Sequence, residues 1–215
     1  MLHYGLLKNH AGILLCGDYS ILRALHDVVH EVNEKSPLVK NKEGDFLGLA
    51  YDLRKAYERS REVLPPPEHS PEIGTRYGVQ ILWPMILFQC TMLRDSLSFM
   101  PSTKRQQGLT YLLESIIESA LDDDFGAKAE EILYQWGRLS TRHPWAADKI
   151  DSRCAQYCAW TKPQRKVGLA GLLMSLDAMY PATYPLYLRR ADAVPLVSPD
   201  ELEAWKGLEW PDPKW

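Results

Sequence analysis

The sequence has few cysteines, no marked excess of either charge and no long apolar run, and each shortage removes a class of protein. Four cysteines in 215 residues, Cys16, Cys90, Cys154 and Cys158, are too sparse for a disulfide-stapled secreted domain, so free thiols are expected. Lys and Arg number 25 against 28 Asp and Glu, a formal net charge of −3. A dedicated nucleic-acid binder draws its affinity from phosphate neutralisation and is usually strongly basic, so nucleic acid is a disfavoured partner, with only a local basic patch left open. The most apolar window, 79–93, is interrupted by Pro84 and falls short of the roughly 18–20 residues that cross a bilayer. No membrane partner is expected. The start, Met-Leu-His-Tyr-Gly, lacks the basic and apolar regions of a signal peptide, which makes a cytoplasmic location the expectation.

Catalytic signatures are also missing. There is no G-x-S-x-G elbow, Walker loop or G-x-G-x-x-G, and Gly5, Gly12 and Gly17 have the wrong spacing for any of them. This lowers the odds of the common hydrolase, kinase and dehydrogenase classes, although a triad assembled from remote positions leaves no such trace.

What is present is an ordinary globular composition, 46% hydrophobic and 25% charged, with enough apolar residues to build a core. Surface scaling predicts roughly 10,000 Å² of accessible surface when folded. Residues 2–8 and 12–16 are aliphatic runs that read as a hairpin, whose exposed edge is free to pair with another chain. From Asp18 the period changes: Ile21, Leu22, Leu25, Val28, Val29 and Val32 recur at helical steps until Pro37. A second helix follows Gly44, capped by Asp45 and ending near Arg59, and a long central helix is expected over 77–99. Three consecutive prolines make 62–75 an exposed connection or hinge between subregions 1–61 and 76–206.

Thr103 with Gln106, Thr161 with Gln164 and Ser198 with Glu201 have capping-box spacing and announce three more helices, the last closed by Gly207. Asp122 to Asp124 reads as a solvated turn that caps a further helix, and Pro144 opens another. The fold class is therefore mostly α, within α+β: a single-domain helical bundle of about seven to eight helices with a small N-terminal β-hairpin.

Four groups of residues are candidates for chemistry. His26-Asp27-Val28-Val29-His30 places two imidazoles four residues apart on one helix side, as a divalent metal site needs. The segment resembles the zincin spacing H-E-x-x-H with Asp in place of Glu, and its His-Asp doublet resembles that of helical HD-type phosphohydrolases. A third ligand from His3, His10 or His69 is not selected by spacing. Lys104-Arg105 and Lys162, Arg165 and Lys166 stand at helix starts, where cations oppose the macrodipole and where an anion site would use them. Cys154 and Cys158 share a helix side but lack the second pair of a zinc site, and ordinary packing is the simpler account.

Aromatic residues form the fourth group. Trp205, Trp210 and Trp215 lie in a proline-containing tail, and Tyr184, Tyr187, Arg189 and Arg190 end a second irregular, proline-containing stretch. Tyr, Trp and Arg dominate interface hot spots, so these seven residues are the candidate binding surface. The leading expectation is a soluble, non-catalytic interaction protein without cofactor, such as a small bacterial inhibitor or immunity-like protein, bound to another protein or to itself. The alternative is a metal-dependent helical hydrolase using His26, Asp27 and His30.

Overall fold

A computed structural model of the chain describes residues 1–66, 68–189 and 194–215. The expected fold class is correct. About 60% of the chain is helical, in eight helices of eight residues or more and a five-residue ninth among the described residues, with a small antiparallel sheet at the N-terminal end. The accessible surface is 10961 Å², close to the value scaling predicts for this mass. Among the described residues no helix is long and apolar enough to cross a membrane.

The sheet has four strands rather than the expected two. β1 (Leu2–Leu6) and β2 (Gly12–Gly17) form the hairpin, β3 (Glu62–Leu64) and β4 (Arg76–Leu82) complete it, and the order is β1-β2-β4-β3. One edge of the hairpin, that of β2, is thus occupied by β4. Ile13 faces Ile81 and Leu15 faces Val79 across the β2–β4 ladder, and all four side chains are buried on one side of the sheet. Period-two alternation in β4 puts apolar groups on that face. Gly12 permits the close strand approach, because a Cβ there would lie 1.9 Å from the Ile81 carbonyl oxygen.

Two expected boundaries move for the same reason. The central helix does not begin at 77: residues 76–82 are β4, and α3 (Trp83–Leu97) starts directly after it, with Pro84 in its first turn. The 62–75 connection is not wholly a linker, since its first three residues are the strand β3. Apolar residues continue from strand into helix without a break, so composition hides the change of period.

Local signals were accurate elsewhere. α1 (Tyr19–Lys35) starts where Asp18 accepts from the Ile21 N–H at 3.0 Å, and buries Leu22, Leu25, Val28, Val29 and Val32. α2 (Asp45–Tyr57) begins one residue earlier than expected, with Gly44 as the cap and Asp45 in the first turn. α4 (Lys104–Phe125) and α7 (Lys162–Met174) both open on complete capping boxes, Thr103 with Gln106 and Thr161 with Gln164. α5 (Ala129–Arg138) and α6 (Trp145–Ala159) lie between them.

The expected turn at Asp122 to Asp124 is absent. α4 runs through these residues and ends at Gly126, whose φ of 54° suits a residue without a side chain. The stretch from Tyr180 is likewise regular: α8 (Tyr180–Tyr187) has Pro181 in its first turn and tolerates Pro185 inside. α9 (Pro199–Glu203) is capped by Ser198 and ends before Gly207.

α3 lies at the centre of the bundle, packed against α2, α4 and α6. Its residues from Trp83 to Leu93 are all buried. Its polar members are tied into the core: Gln89 donates to the Asp45 carbonyl at 2.8 Å, and Thr91 accepts from the Trp136 indole N–H at 2.9 Å, while the Gln89 amide oxygen is buried without a partner among the described residues. One continuous core joins the sheet, α1 and α2 to the later helices.

Candidate functional site

The C-terminal aromatic residues divide into two sets. Trp205 donates its indole N–H to Gln156, and Trp210 donates to Asp151 at 2.8 Å. Both rings are therefore fixed on α6, and only Trp215, 41% exposed, presents much of its surface. Tyr184 is half-buried beside Tyr180, Arg189 is exposed, and Arg190 lies outside the described residues. Of the six described, Tyr187 alone lines a large cavity.

That cavity, of about 480 Å³, opens between α5, α7, α8 and the segment 194–196, a size typical of small-molecule sites. Four rings wall it, those of Tyr134, Trp145, Tyr180 and Tyr187. Leu173, Leu176 and Leu196 supply aliphatic surface. Two of the walls are fixed by hydrogen bonds at their polar ends. The Trp145 indole N–H donates to the Ser175 carbonyl at 3.3 Å, and the Tyr180 hydroxyl donates to the Val197 carbonyl at 2.7 Å. Segment 194–196 reaches α7 because position 171 is glycine; a Cβ there would lie 2.0 Å from the Pro195 carbonyl oxygen.

Several of the cavity's polar groups are committed to partners within the chain. Arg138, in the last turn of α5, donates to the Tyr134 hydroxyl at 3.0 Å and lies over its ring at 5.6 Å. The Tyr134 hydroxyl bond, followed by the nearby Tyr134, Tyr187 and Asp177 charges, holds the guanidinium above its ordinary pKa. Glu131 is paired with Lys128 at 3.3 Å. Asp177 accepts from the Met179 N–H at 2.8 Å. His143 accepts the Trp145 backbone N–H on Nδ1 at 3.1 Å, which in the neutral ring puts the proton on Nε2 and makes that atom a donor. The Thr183 hydroxyl donates to the Met179 carbonyl at 3.0 Å. Among the described residues no hydroxyl is hydrogen-bonded to His143.

The other candidates are placed as follows. The rings of His26 and His30 are 5.8 Å apart, but His26 pairs with Asp27 at 2.9 Å and the exposed His30 with Glu34 at 3.5 Å. His10, a possible third ligand by residue type, pairs instead with Asp124 at 2.8 Å. Among the described residues no three His, Cys, Asp or Glu side chains form a metal-binding group. Lys104 and Arg105 are exposed, and Arg105 shares a groove of about 510 Å³ with Asp27 and Glu31, so the local field is mixed.

Lys162 and Lys166 are exposed while Arg165 turns inward and is 1% exposed. Its guanidinium donates to the carbonyls of Tyr157 and Cys158 at 2.9 Å. The three cations do not converge. Cys154 and Cys158 are buried free thiols; burial raises both, Cys158 to about 11 and Cys154 well above its ordinary value, so neither is a thiolate at neutral pH. Asp124 is not solvated, since it also accepts from the Trp83 indole N–H at 2.8 Å.

The sequence reading missed Tyr134, Arg138, His143, Trp145 and Asp177. A usable signal existed for two of them: Tyr134 and Arg138 are four apart on the outward side of an amphipathic helix, where a hydroxyl and a guanidinium meet. Nothing local links them to Asp177, which arrives through the packing of α5 on α7.

A search of curated proteins and one of solved structures gave no match. A family model described as "Domain of unknown function (DUF6904)" matches residues 2–189, which include every named wall of the cavity except segment 194–196. The chain belongs to the DUF6904 family.

Proposed function

We propose that this is a non-catalytic binding protein whose recognition element is the cavity between α5, α7 and α8. The observation that carries the reading is a space of about 480 Å³ walled by Tyr134, Trp145, Tyr180 and Tyr187. Trp145 is already held by its indole N–H, so placing this ring against a guest carries little ordering cost. The earlier expectation of an interaction surface keeps Tyr187 and moves away from Trp205 and Trp210, whose indole N–H groups are used within the chain.

The test uses 8-anilinonaphthalene-1-sulfonate, whose fluorescence rises in apolar sites. The native protein should bind it saturably at about one equivalent. Leu173→Trp, which fills the cavity, should abolish binding while the variant still unfolds cooperatively. Equal binding by both proteins would overturn the reading.

Metal-dependent hydrolysis at His26, Asp27 and His30 is a second reading, favoured only by the 5.8 Å approach of the two imidazoles. Stoichiometric Zn, Mn or Fe in purified protein, lost in His26→Ala, would support it.

A further inference from the structure

α4 carries its charges against its own dipole at both ends. Its first turn holds Lys104 and Arg105 and no acid, and its last turn holds Asp122, Asp123 and Asp124 and no base, whereas a helix favours acids at its start and bases at its end. Asp124 is spent on His10 and Trp83. Lys104, Arg105, Asp122 and Asp123 are exposed, and none of them forms an ion pair among the described residues. The two carboxylates that share a groove with Arg105 are engaged elsewhere, Asp27 with His26 at 2.9 Å and Glu31 with Lys35 at 2.7 Å. Asp123 accepts one bond, from the Tyr4 hydroxyl at 2.6 Å, and a carboxylate has further acceptor positions to offer.

An apolar line joins these ends. At about 100° per residue, Arg105, Leu109, Leu112, Ile116 and Asp123 fall along one side of α4, next to the stripe of Leu113, Ile117 and Leu121 that enters the core. Leu112 is 39% exposed, and Leu109 and Ile116 are half-buried. Gly108 borders the line, and a Cβ there would meet nothing within 4 Å. The packing of the chain itself thus gives no reason for a glycine inside this helix, where it weakens the element. A bare position does allow a second helix to come close.

The line is complementary to its own reverse. Two α4 helices laid antiparallel, with a two-fold axis level with Glu114, set Arg105 against the partner's Asp123, Leu109 against the partner's Ser119 and Leu112 against the partner's Ile116, all in one register. Symmetry repeats each pair, so the apolar seam is closed by opposite charges at both ends. A parallel pair would set Arg105 against Arg105 and Asp123 against Asp123. We infer that this side of α4 docks a second copy of the chain, antiparallel and two-fold symmetric. The inference uses none of the cavity between α5, α7 and α8 and goes beyond its proposed role. One pair of 22-residue helices makes an interface at the small end of the known range, so a dissociation constant on the order of 10 µM is expected.

Sedimentation velocity of the full chain from about 1 to about 500 µM spans that constant. The wild type should pass from monomer to dimer. Leu112→Glu, at an exposed helical position, should weaken the dimer at least about tenfold. Arg105→Asp and Asp123→Arg each set like charges together at both ends and should weaken it by about tenfold at low salt. Both changes suit the dipole of α4, so each variant should remain folded by thermal melting. Mixed in equal amounts, the two variants regain opposite charges at both ends and should dimerise as tightly as the wild type, although neither does so alone. A wild type that stays monomeric over the whole range, a dimer indifferent to Leu112→Glu, or a mixture no tighter than its separate variants would overturn the inference.

Discussion

Arg165 donates through Nη2 to the carbonyl oxygen of Pro213 at 2.7 Å, and so fixes the C-terminal tail to the start of α7. The same guanidinium holds the Tyr157 and Cys158 carbonyls, which belong to the last turn of α6, where carbonyls run short of helical donors. A buried cation is tolerated there because it meets the negative end of a helix dipole and several oxygen acceptors. Arg153 repeats the device at the end of α7, donating to the Ser175 hydroxyl and carbonyl at 3.1 Å. Burial lowers its pKa to about 10.

Removal of Arg165 should therefore be costly. Arg165→Met leaves buried carbonyls unpaired and is expected to cost about 2–4 kcal/mol in urea unfolding. Arg165→Lys should recover little of this, because an ammonium cannot reproduce the fork that spans α6 and the tail. The tail after Trp205 should also become cleavable by trypsin under native conditions, and an unchanged digestion pattern would count against the tether.

Asp124 ties the front of the chain to the bundle, bonding both His10 and the Trp83 indole. Asn9 and His10 both have positive φ, 60° and 52°, a conformation that costs of order 1 kcal/mol each and persists when surrounding bonds hold it. Asp124→Ala should cost about 2–4 kcal/mol by thermal or urea unfolding. Asp124→Asn should cost less, since the amide oxygen can still accept from Trp83.

Asp45 gives a pH signature. Burial, then the Asp151 charge, raises its folded pKa above the ordinary carboxylate value. A folded pKa above the unfolded one favours the protonated form in the fold, so stability is greatest below about pH 4 for this group and falls as pH rises through the folded pKa. Asp45→Asn should be more stable than wild type at pH 7, by less than about 1 kcal/mol because water still reaches the group. The difference should vanish near pH 3. A variant less stable than wild type at pH 7 would show that the helix-start charge of α2 matters more.

Gly171→Ala forces a side chain against the Pro195 carbonyl. It is expected to destabilise the fold by about 1–3 kcal/mol and to weaken probe binding, because segment 194–196 carries the cavity wall residues Val194 and Leu196. Loss of stability with undiminished binding would mean that this wall is dispensable.

Helices with local signals were legible in the sequence. The Leu22, Leu25, Val29 and Val32 stripe and the Thr103–Gln106 and Thr161–Gln164 boxes involve residues within a few positions of each other, where spacing is itself geometry. β4 was not, because its alternation runs straight into the all-apolar α3. α8 was not either: Pro181 occupies a first turn, where a missing N–H is harmless, and burial of Tyr180 in the core outweighs the penalty of Pro185. The cavity was hidden for a different reason. Arg138, Trp145 and Asp177 come from separate segments, and only tertiary packing brings them to one wall.

The account places the binding site among α5, α7 and α8 and not on the C-terminal tail, and the seven tryptophans report on both. Fluorine NMR of protein labelled with 5-fluorotryptophan, titrated with anilinonaphthalenesulfonate and assigned with Trp145→Phe, separates the two. The Trp145 resonance should shift saturably while those of Trp205, Trp210 and Trp215 stay in place. Shifts confined to the three tail resonances, with Trp145 unmoved, would contradict the account.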